Sequence, residues 1–142
     1  PGLKSKLGIA AYVVAVFECL ARYSFPEFLL SAGGRTFKAT SCLACNSRKY
    51  GGGLLFCPEA DMQDGQLDLL VLEGRRRMVL AAFLLAAWLQ RPMKGEWIHR
   101  LRAGGLRIEG AEGVHVEVDG ELAGGLPLDI SLAPSAFPLI VP

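Results

Sequence analysis

Hydrophobic and polar positions change rhythm several times along these 142 residues, and each rhythm predicts an element. Residues 3–23 begin with Lys4 and Lys6 and continue as Ala, Val, Phe and Leu spread around nearly the whole helical circumference. A helix that is apolar all round has no face to give to water, so it is expected to be buried. From Pro26 the pattern turns to strands. Glu27–Ser31 and Arg35–Cys45 flank Ala32-Gly33-Gly34, a short glycine connection suited to a hairpin. Leu54–Cys57 and Leu67–Leu72 read as the next strands. Residues 77–90, RMVLAAFLLAAWLQ, predict a second helix, closed by Pro92, which cannot continue one. Ile98–Glu109, Gly113–Asp119, Leu126–Leu132 and Phe137–Val141 are strand-like again, with Gly or Pro between them. The expected architecture is mainly β: a two-layer β-sandwich with two flanking α-helices, in a single domain spanning 1–142.

Composition narrows the function classes. Hydrophobic residues make up 51% and charged residues 20%, as in a packed globular domain. A formal net charge of +1 supplies no global field for nucleic acid, and no nucleic-acid partner is expected. The charge is nevertheless uneven. Arg75, Arg76 and Arg77 stand together, and Lys94, His99, Arg100 and Arg102 cluster after them, as a solvated loop and strand face or as a contact with an anionic membrane. Cys19, Cys42, Cys45 and Cys57 are too few for a disulfide scaffold. Cys42 and Cys45 have the spacing of a metal or redox pair but lie in an extended run, where residues three apart point to opposite faces. The thiols point to a reducing, cytoplasmic setting. The longest apolar runs, Leu7–Phe17 and Met78–Leu89, fall well short of the ~20 residues that a membrane-spanning helix needs, and both read as buried helix.

Two acidic turns are the candidate chemistry. In the first, Asp61-Met-Gln-Asp64-Gly65-Gln66, Gly accepts positive φ and Asp bonds its own backbone, so a plain turn explains Asp64 and Gly65. Oxygen donors at this spacing also suit magnesium, which keeps most of its waters and takes one carboxylate and a few carbonyls. In the second, Val114-His-Val-Glu-Val-Asp119-Gly120-Glu121, alternation places the three valines on the core face and His115, Glu117 and Asp119 on the other. Glu121 joins that polar face if the chain stays extended, and projects at the strand end if Asp119-Gly120 turns sharply. The glycines 51–53 run into a strand rather than a helix N-terminus. They suit a bulge or a close backbone approach, not a phosphate loop.

The block Asn46–Asp68, with its aromatic residue, Gly-Gly-Gly, Pro58, Ala60 and Asp64-Gly65, followed in order by Asp119-Gly120-Glu121, resembles the C-terminal domain of the diacylglycerol kinase family. The likeness is to the bacterial lipid-kinase branch related to sphingosine kinases and, more distantly, NAD kinases. It implies that magnesium is held by the carbonyls of Asp61 and Gln66 and the carboxylate of Asp64, with the Asp61 carboxylate as an extra donor. It assigns Glu121 as general base, with Asp119 a supporting carboxylate or the turn residue alone. The implied reaction is ATP-dependent phosphorylation of a diacylglycerol-like lipid, as in phospholipid biosynthesis. ATP would be a co-substrate bound mainly by an N-terminal domain carrying Gly-Gly-Asp-Gly-Thr. That motif does not occur in this sequence, so these residues are expected to be inactive alone, and Pro1 is expected to be a domain cut. A cytoplasmic enzyme at the membrane periphery would follow, with a homodimer left open. Two other readings compete: a stand-alone lipid- or protein-binding module without catalysis, and an NAD-kinase-type nucleotide kinase domain.

Overall fold

The computed structural model describes residues 18, 20–50, 53–91, 94–110 and 114–133. Of the expected opening helix only the end is described, and residues 18 and 20–22 are helical. The remainder of that helix, and the expected closing strand Phe137–Val141, lie outside the described residues.

Two antiparallel sheets form the body. The first orders its strands β11 (Leu128–Ser131), β8 (Gly105–Gly110), β1 (Phe28–Ala32) and β2 (Arg35–Ala39). The second orders them β3 (Ser41–Cys45), β6 (Leu67–Leu72) and β7 (Ile98–Ala103). Two short ladders stand apart: β4 (Lys49–Tyr50) with β5 (Leu54–Leu55), and β9 (Val116–Val118) with β10 (Glu121–Gly124). The sheets face each other through Phe28, Leu30, Phe37, Leu67, Leu69, Val71, Leu106 and Ile108. Alternation then sends Leu70 and Leu72 of β6 to the opposite face. There they pack with Phe56, Cys57, Ala60 and Ile98 and with Phe83 and Ala87 of α1 (Arg77–Trp88). Helix, sheet and sheet therefore make three layers, and β6 is covered on both sides. This accounts for its almost unbroken apolar run.

Two expected strands are each cut in two, because the chain changes sheets inside them. Arg35–Cys45 divides at Thr40, which is 2% exposed. Its N–H donates to the Leu72 carbonyl at 2.9 Å, its hydroxyl to the Gly74 carbonyl at 3.0 Å, and its own carbonyl accepts the Tyr23 hydroxyl at 2.6 Å. A buried corner with every polar group paired turns the chain from one layer to the other. Ile98–Glu109 divides at Gly104 in the same way. A Cβ on the next residue, Gly105, would lie 2.7 Å from the Ile130 carbonyl oxygen, so the close approach of β8 and β11 requires glycine there. Leu54–Cys57 shrinks to Leu54–Leu55, with Cys57 buried in the loop beyond.

α1 ends before Pro92, in a Schellman arrangement. Gln90 takes a φ of 56° and donates to the Ala87 carbonyl at 3.2 Å, and Arg91 donates to the Ala86 carbonyl at 2.8 Å. The expectation that this helix is buried is corrected. Only Phe83 and Ala87 are fully buried, and Met78, Leu85, Trp88 and Leu89 face outward. One sheet covers one side of it, and no described residue covers the other. Among the described residues, no helix is long and apolar enough to cross a membrane.

Candidate functional site

At one end of the second sheet, β6 begins and β3 and β7 finish, and the loop 56–66 folds over that end. Opposed residues on antiparallel strands share a face, so the pairing of Asp68 with Arg102 and of Leu70 with Arg100 puts both arginines under this loop. Arg100 donates to the Phe56 carbonyl at 2.8 Å. Arg102 donates to the Glu59 carbonyl at 2.6 Å and to Asp68 Oδ1 at 3.2 Å, and it lies 3.7 Å from Asp64 Oδ2. Arg48 reaches the Ala60 carbonyl at 3.4 Å. The hydrogen bond and charge of Asp68, with the charge of Asp64 behind them, hold the Arg102 guanidinium above its ordinary value. Arg100 and Arg102 are thus not a free solvated face. They clamp the acidic loop.

Inside that loop the backbone is arranged by its own acids. Asp61 Oδ1 accepts the Gln63 N–H at 2.9 Å, and Asp64 Oδ1 accepts the Gln66 N–H at 2.9 Å. The Asp64 N–H reaches the Asp61 carbonyl at 3.4 Å, and Gly65 takes a φ of 68°. The expected magnesium donors, the carbonyls of Asp61 and Gln66 and the carboxylate of Asp64, therefore lie in one turn. Asp64 Oδ2 is too far from Arg102 for a direct hydrogen bond, so it keeps its acceptor capacity. Beside it Asp68 Oδ2 is buried with no hydrogen-bond partner among the described residues. This all-oxygen set, rich in acceptors, fits a hard, largely hydrated cation. Asp61 Oδ1 closes its own turn just as Asp64 Oδ1 does, and no described residue donates to Asp61 Oδ2. Among the described residues no group of three His, Cys, Asp or Glu side chains gathers as a metal cluster, so the fit rests on main-chain oxygens.

The three described cysteines are free thiols. Cys42 faces the sandwich and Cys45 the loop side, as expected from their spacing, which separates them as a metal pair. Burial pushes the Cys42 thiol up to about 12. Cys45 hydrogen-bonds Cys57 instead, which raises Cys45 and lowers Cys57.

Glu121 stands elsewhere. Asp119 and Gly120 take φ values of 51° and 91°, the double left-handed turn of a two-residue hairpin, so the chain reverses sharply. Val118 then opposes Glu121, and Glu117 opposes Leu122. Glu121 thereby shares a face with Val118 and leaves that of Glu117. Val118 is 53% exposed, which corrects its expected place in the core. Glu121 is itself exposed, and among the described residues its side chain makes no hydrogen bond or ion pair, with the 61–66 turn or otherwise. Among the described residues, a side-chain hydrogen bond joins this hairpin to the body of the protein. The Tyr50 hydroxyl donates to Glu117 Oε1 at 2.5 Å, and the Tyr50 ring meets Phe56, which stacks on Phe83 of α1. Gly53, with a φ of 93°, closes the hairpin that presents Tyr50; Gly51 and Gly52 lie outside the described residues.

Arg48, Arg100, Arg102, Asp68 and the Tyr50–Glu117 pair were not singled out as site residues from sequence. The alternation in Ile-His-Arg-Leu-Arg-Ala places Arg100 and Arg102 on one face, but only the register with β6 shows that Asp68 opposes Arg102.

Residues 2–141 match the family described as the YegS C-terminal NAD kinase beta sandwich-like domain. A diacylglycerol kinase of Mycobacterium tuberculosis is 32% identical over 138 residues, covering 95% of this chain and 44% of its own. A "Probable lipid kinase YegS-like" of Pseudomonas aeruginosa is 32% identical over 151 residues, covering 99% of this chain and 46% of its own. The chain thus spans less than half the length of these relatives. Two solved Bacillus anthracis structures that carry the diacylglycerol kinase name superpose with TM-scores of 0.65 and 0.56 at 20% and 18% identity. They cover 81% and 80% of this chain, and 42% and 40% of their own, which is a likeness of fold. By sequence match, sandwich architecture and the order of its acidic turns, the chain belongs to the YegS C-terminal, NAD kinase β-sandwich-like domain family, whose relatives are lipid kinases.

Proposed function

We propose that this chain is the lipid-binding and base-supplying half of an ATP-dependent kinase that phosphorylates the hydroxyl of a diacylglycerol-like lipid. Glu121 takes the hydroxyl proton as the lipid oxygen bonds to the γ-phosphorus of ATP. The bond from that phosphorus to the β–γ bridging oxygen breaks, and ADP leaves with the electron pair. Such a transfer depends on positioning and charge neutralisation rather than covalent help from the protein. ATP is held by an N-terminal domain outside these residues. The carbonyls of Asp61 and Gln66 and the Asp64 carboxylate hold magnesium, which supplies positive charge that steadies the loop. The free thiols favour a cytoplasmic setting, with the enzyme meeting its lipid at the membrane periphery.

The observation that carries this reading is the placement of Glu121. It is an exposed carboxylate with no described partner, presented directly after a tight turn, in a chain whose relatives are lipid kinases. Its test is Glu121→Gln in the full-length enzyme. The substitution is nearly isosteric, so the melting temperature should hold while turnover falls by about 10²–10⁴ and the lipid KM changes little. Turnover within about three-fold of wild type, far inside that range, would remove Glu121 from catalysis. For the metal, magnesium should raise the melting temperature of the wild-type protein, and Asp64→Ala should abolish the rise. An equal rise in the variant would move the ion elsewhere.

A further inference from the structure

The hairpin that carries Glu121 is rooted at its feet and gripped along its length. Val114 before it and Leu126 after it pack against the core of the sandwich. Between them, among the described residues, β9 and β10 pair only with each other, and their register shifts between Leu122 and Gly124. A two-stranded ribbon is marginally stable on its own in water, and an irregular register lets it bend. The feet alone would leave the position of Glu121 to the swing of the ribbon.

Tyr50 limits that swing. Its hydroxyl donates to Glu117 Oε1 at 2.5 Å, a length proper to a hydroxyl on an ionised carboxylate. Glu117 opposes Leu122, one rung from the pair Val118 and Glu121. Successive residues of a strand face opposite ways, so Tyr50 grips the ribbon from the side away from Glu121 and leaves the Glu121 side open. The other end of Tyr50 is anchored. Its ring meets Phe56, Phe56 stacks on Phe83 of α1, and the Phe56 carbonyl accepts Arg100 at 2.8 Å. The loop 56–66, with its acidic turn, begins at this same Phe56. Packing on Phe56 needs only the aromatic ring, and the hydroxyl is what reaches the hairpin. A single side chain thus links the ribbon bearing Glu121 to the loop bearing Asp61, Asp64 and Gln66.

We infer that Tyr50 is a positioning residue for phosphoryl transfer: through Glu117 it sets the reach of Glu121 relative to the loop 56–66. The inference rests on the kinase reading, in which Glu121 is the base. Tyr50 acts through Glu117 rather than on the substrate. It governs how much of the time Glu121 stands within hydrogen-bond reach of the lipid hydroxyl, and a misplacement of about 1 Å there costs about 10²-fold in rate.

The test uses the full-length enzyme. Tyr50→Phe keeps the ring on Phe56 and removes only the hydroxyl. It should lower kcat by about 10- to 100-fold, with the lipid KM and the melting temperature close to wild type. Glu117→Leu should do the same, and the double variant should be no worse than either alone. Glu117→Gln, which keeps an acceptor, should recover most of the loss. In a Glu121→Gln background, Tyr50→Phe should cost nothing further. Amide exchange over Val116–Gly124 should rise in Tyr50→Phe while that of β6 stays as it was. Losses that multiply in the double variant, or a kcat for Tyr50→Phe within about two-fold of wild type, far below the cost of a displaced base, would overturn the inference. So would a lowered melting temperature at normal turnover, which would make the bond structural only. The kinase reading fails differently. Normal turnover in Glu121→Gln would overturn the base assignment and the catalytic use of the tie with it, whereas normal exchange and turnover in Tyr50→Phe beside a disabled Glu121→Gln would overturn the positioning inference alone.

Discussion

The turns at Gly33-Gly34 and Asp119-Gly120 share a backbone and differ in everything around it. The first takes φ values of 55° and 73°, the second 51° and 91°, and each joins directly opposed residues, Ala32 with Arg35 and Val118 with Glu121. Around the first, Leu30, Ala32 and Phe37 are buried core within a four-stranded sheet. Around the second, β10 is exposed throughout and, among the described residues, pairs with β9 alone. Glycine adopts left-handed backbone freely, whereas an aspartate there costs on the order of 1 kcal/mol, less what its side chain recovers locally. The turn that only reverses the chain is built of glycine. The turn that presents Glu121 is Asp-Gly, a pair that two-residue hairpins favour because the aspartate bonds locally and the glycine accepts positive φ.

The sharpest break of this comparison is Glu121→Gln, expected to lower turnover by about 10²–10⁴ with the sandwich untouched. Next is Arg102→Met, which strips Asp68 of its guanidinium and frees the loop from the Glu59 carbonyl. It should lower stability, chiefly by leaving Asp68 and the Glu59 carbonyl without their donor, and the loss should show in a denaturant melt. An unchanged melt would mean that the loop holds without its clamp. Smallest is the pair Gly34→Ala and Gly120→Ala. A Cβ meets nothing within 4 Å at either position, so the cost of each is left-handed backbone alone, about 1 kcal/mol. Gly34→Ala should lower the global melting temperature, and Gly120→Ala should loosen only the hairpin and reduce turnover. Equal melting shifts would erase the distinction between the two regions.

Much of this fold is legible in the sequence because it follows from alternation. The strand Leu67–Leu72 is expected and observed with the same limits, and β1 and α1 fall within a residue or two of expectation. The sheet changes at Thr40 and Gly104 are not legible, since β alternation can run through a corner unbroken. What reveals the first is the pairing of Thr40 with Leu72 and Gly74, more than thirty residues away. The acidic turns are legible as turns, because Asp-Gly has a local cause. Their attachments are not. Arg102 over Asp68 and Tyr50 on Glu117 depend on register and on separations of 34 and 67 residues. The exposed side of α1 is not legible for a related reason: hydrophobicity tells that a face is to be covered, not by what.

The strand β6, sandwiched between two layers, has one polar position, Asp68, set against Arg102 on the loop side. A slip of one residue would turn Asp68 into the apolar interior of the sandwich and leave Arg102 facing a leucine. Because leucine or valine occupies every other position of the strand, apolar burial alone would scarcely tell the two alignments apart. The Asp68–Arg102 pair contributes little as an ion pair, but it marks the one alignment in which the carboxylate finds a partner. It works as an index pin, setting which leucines belong to the sandwich and which to the helix.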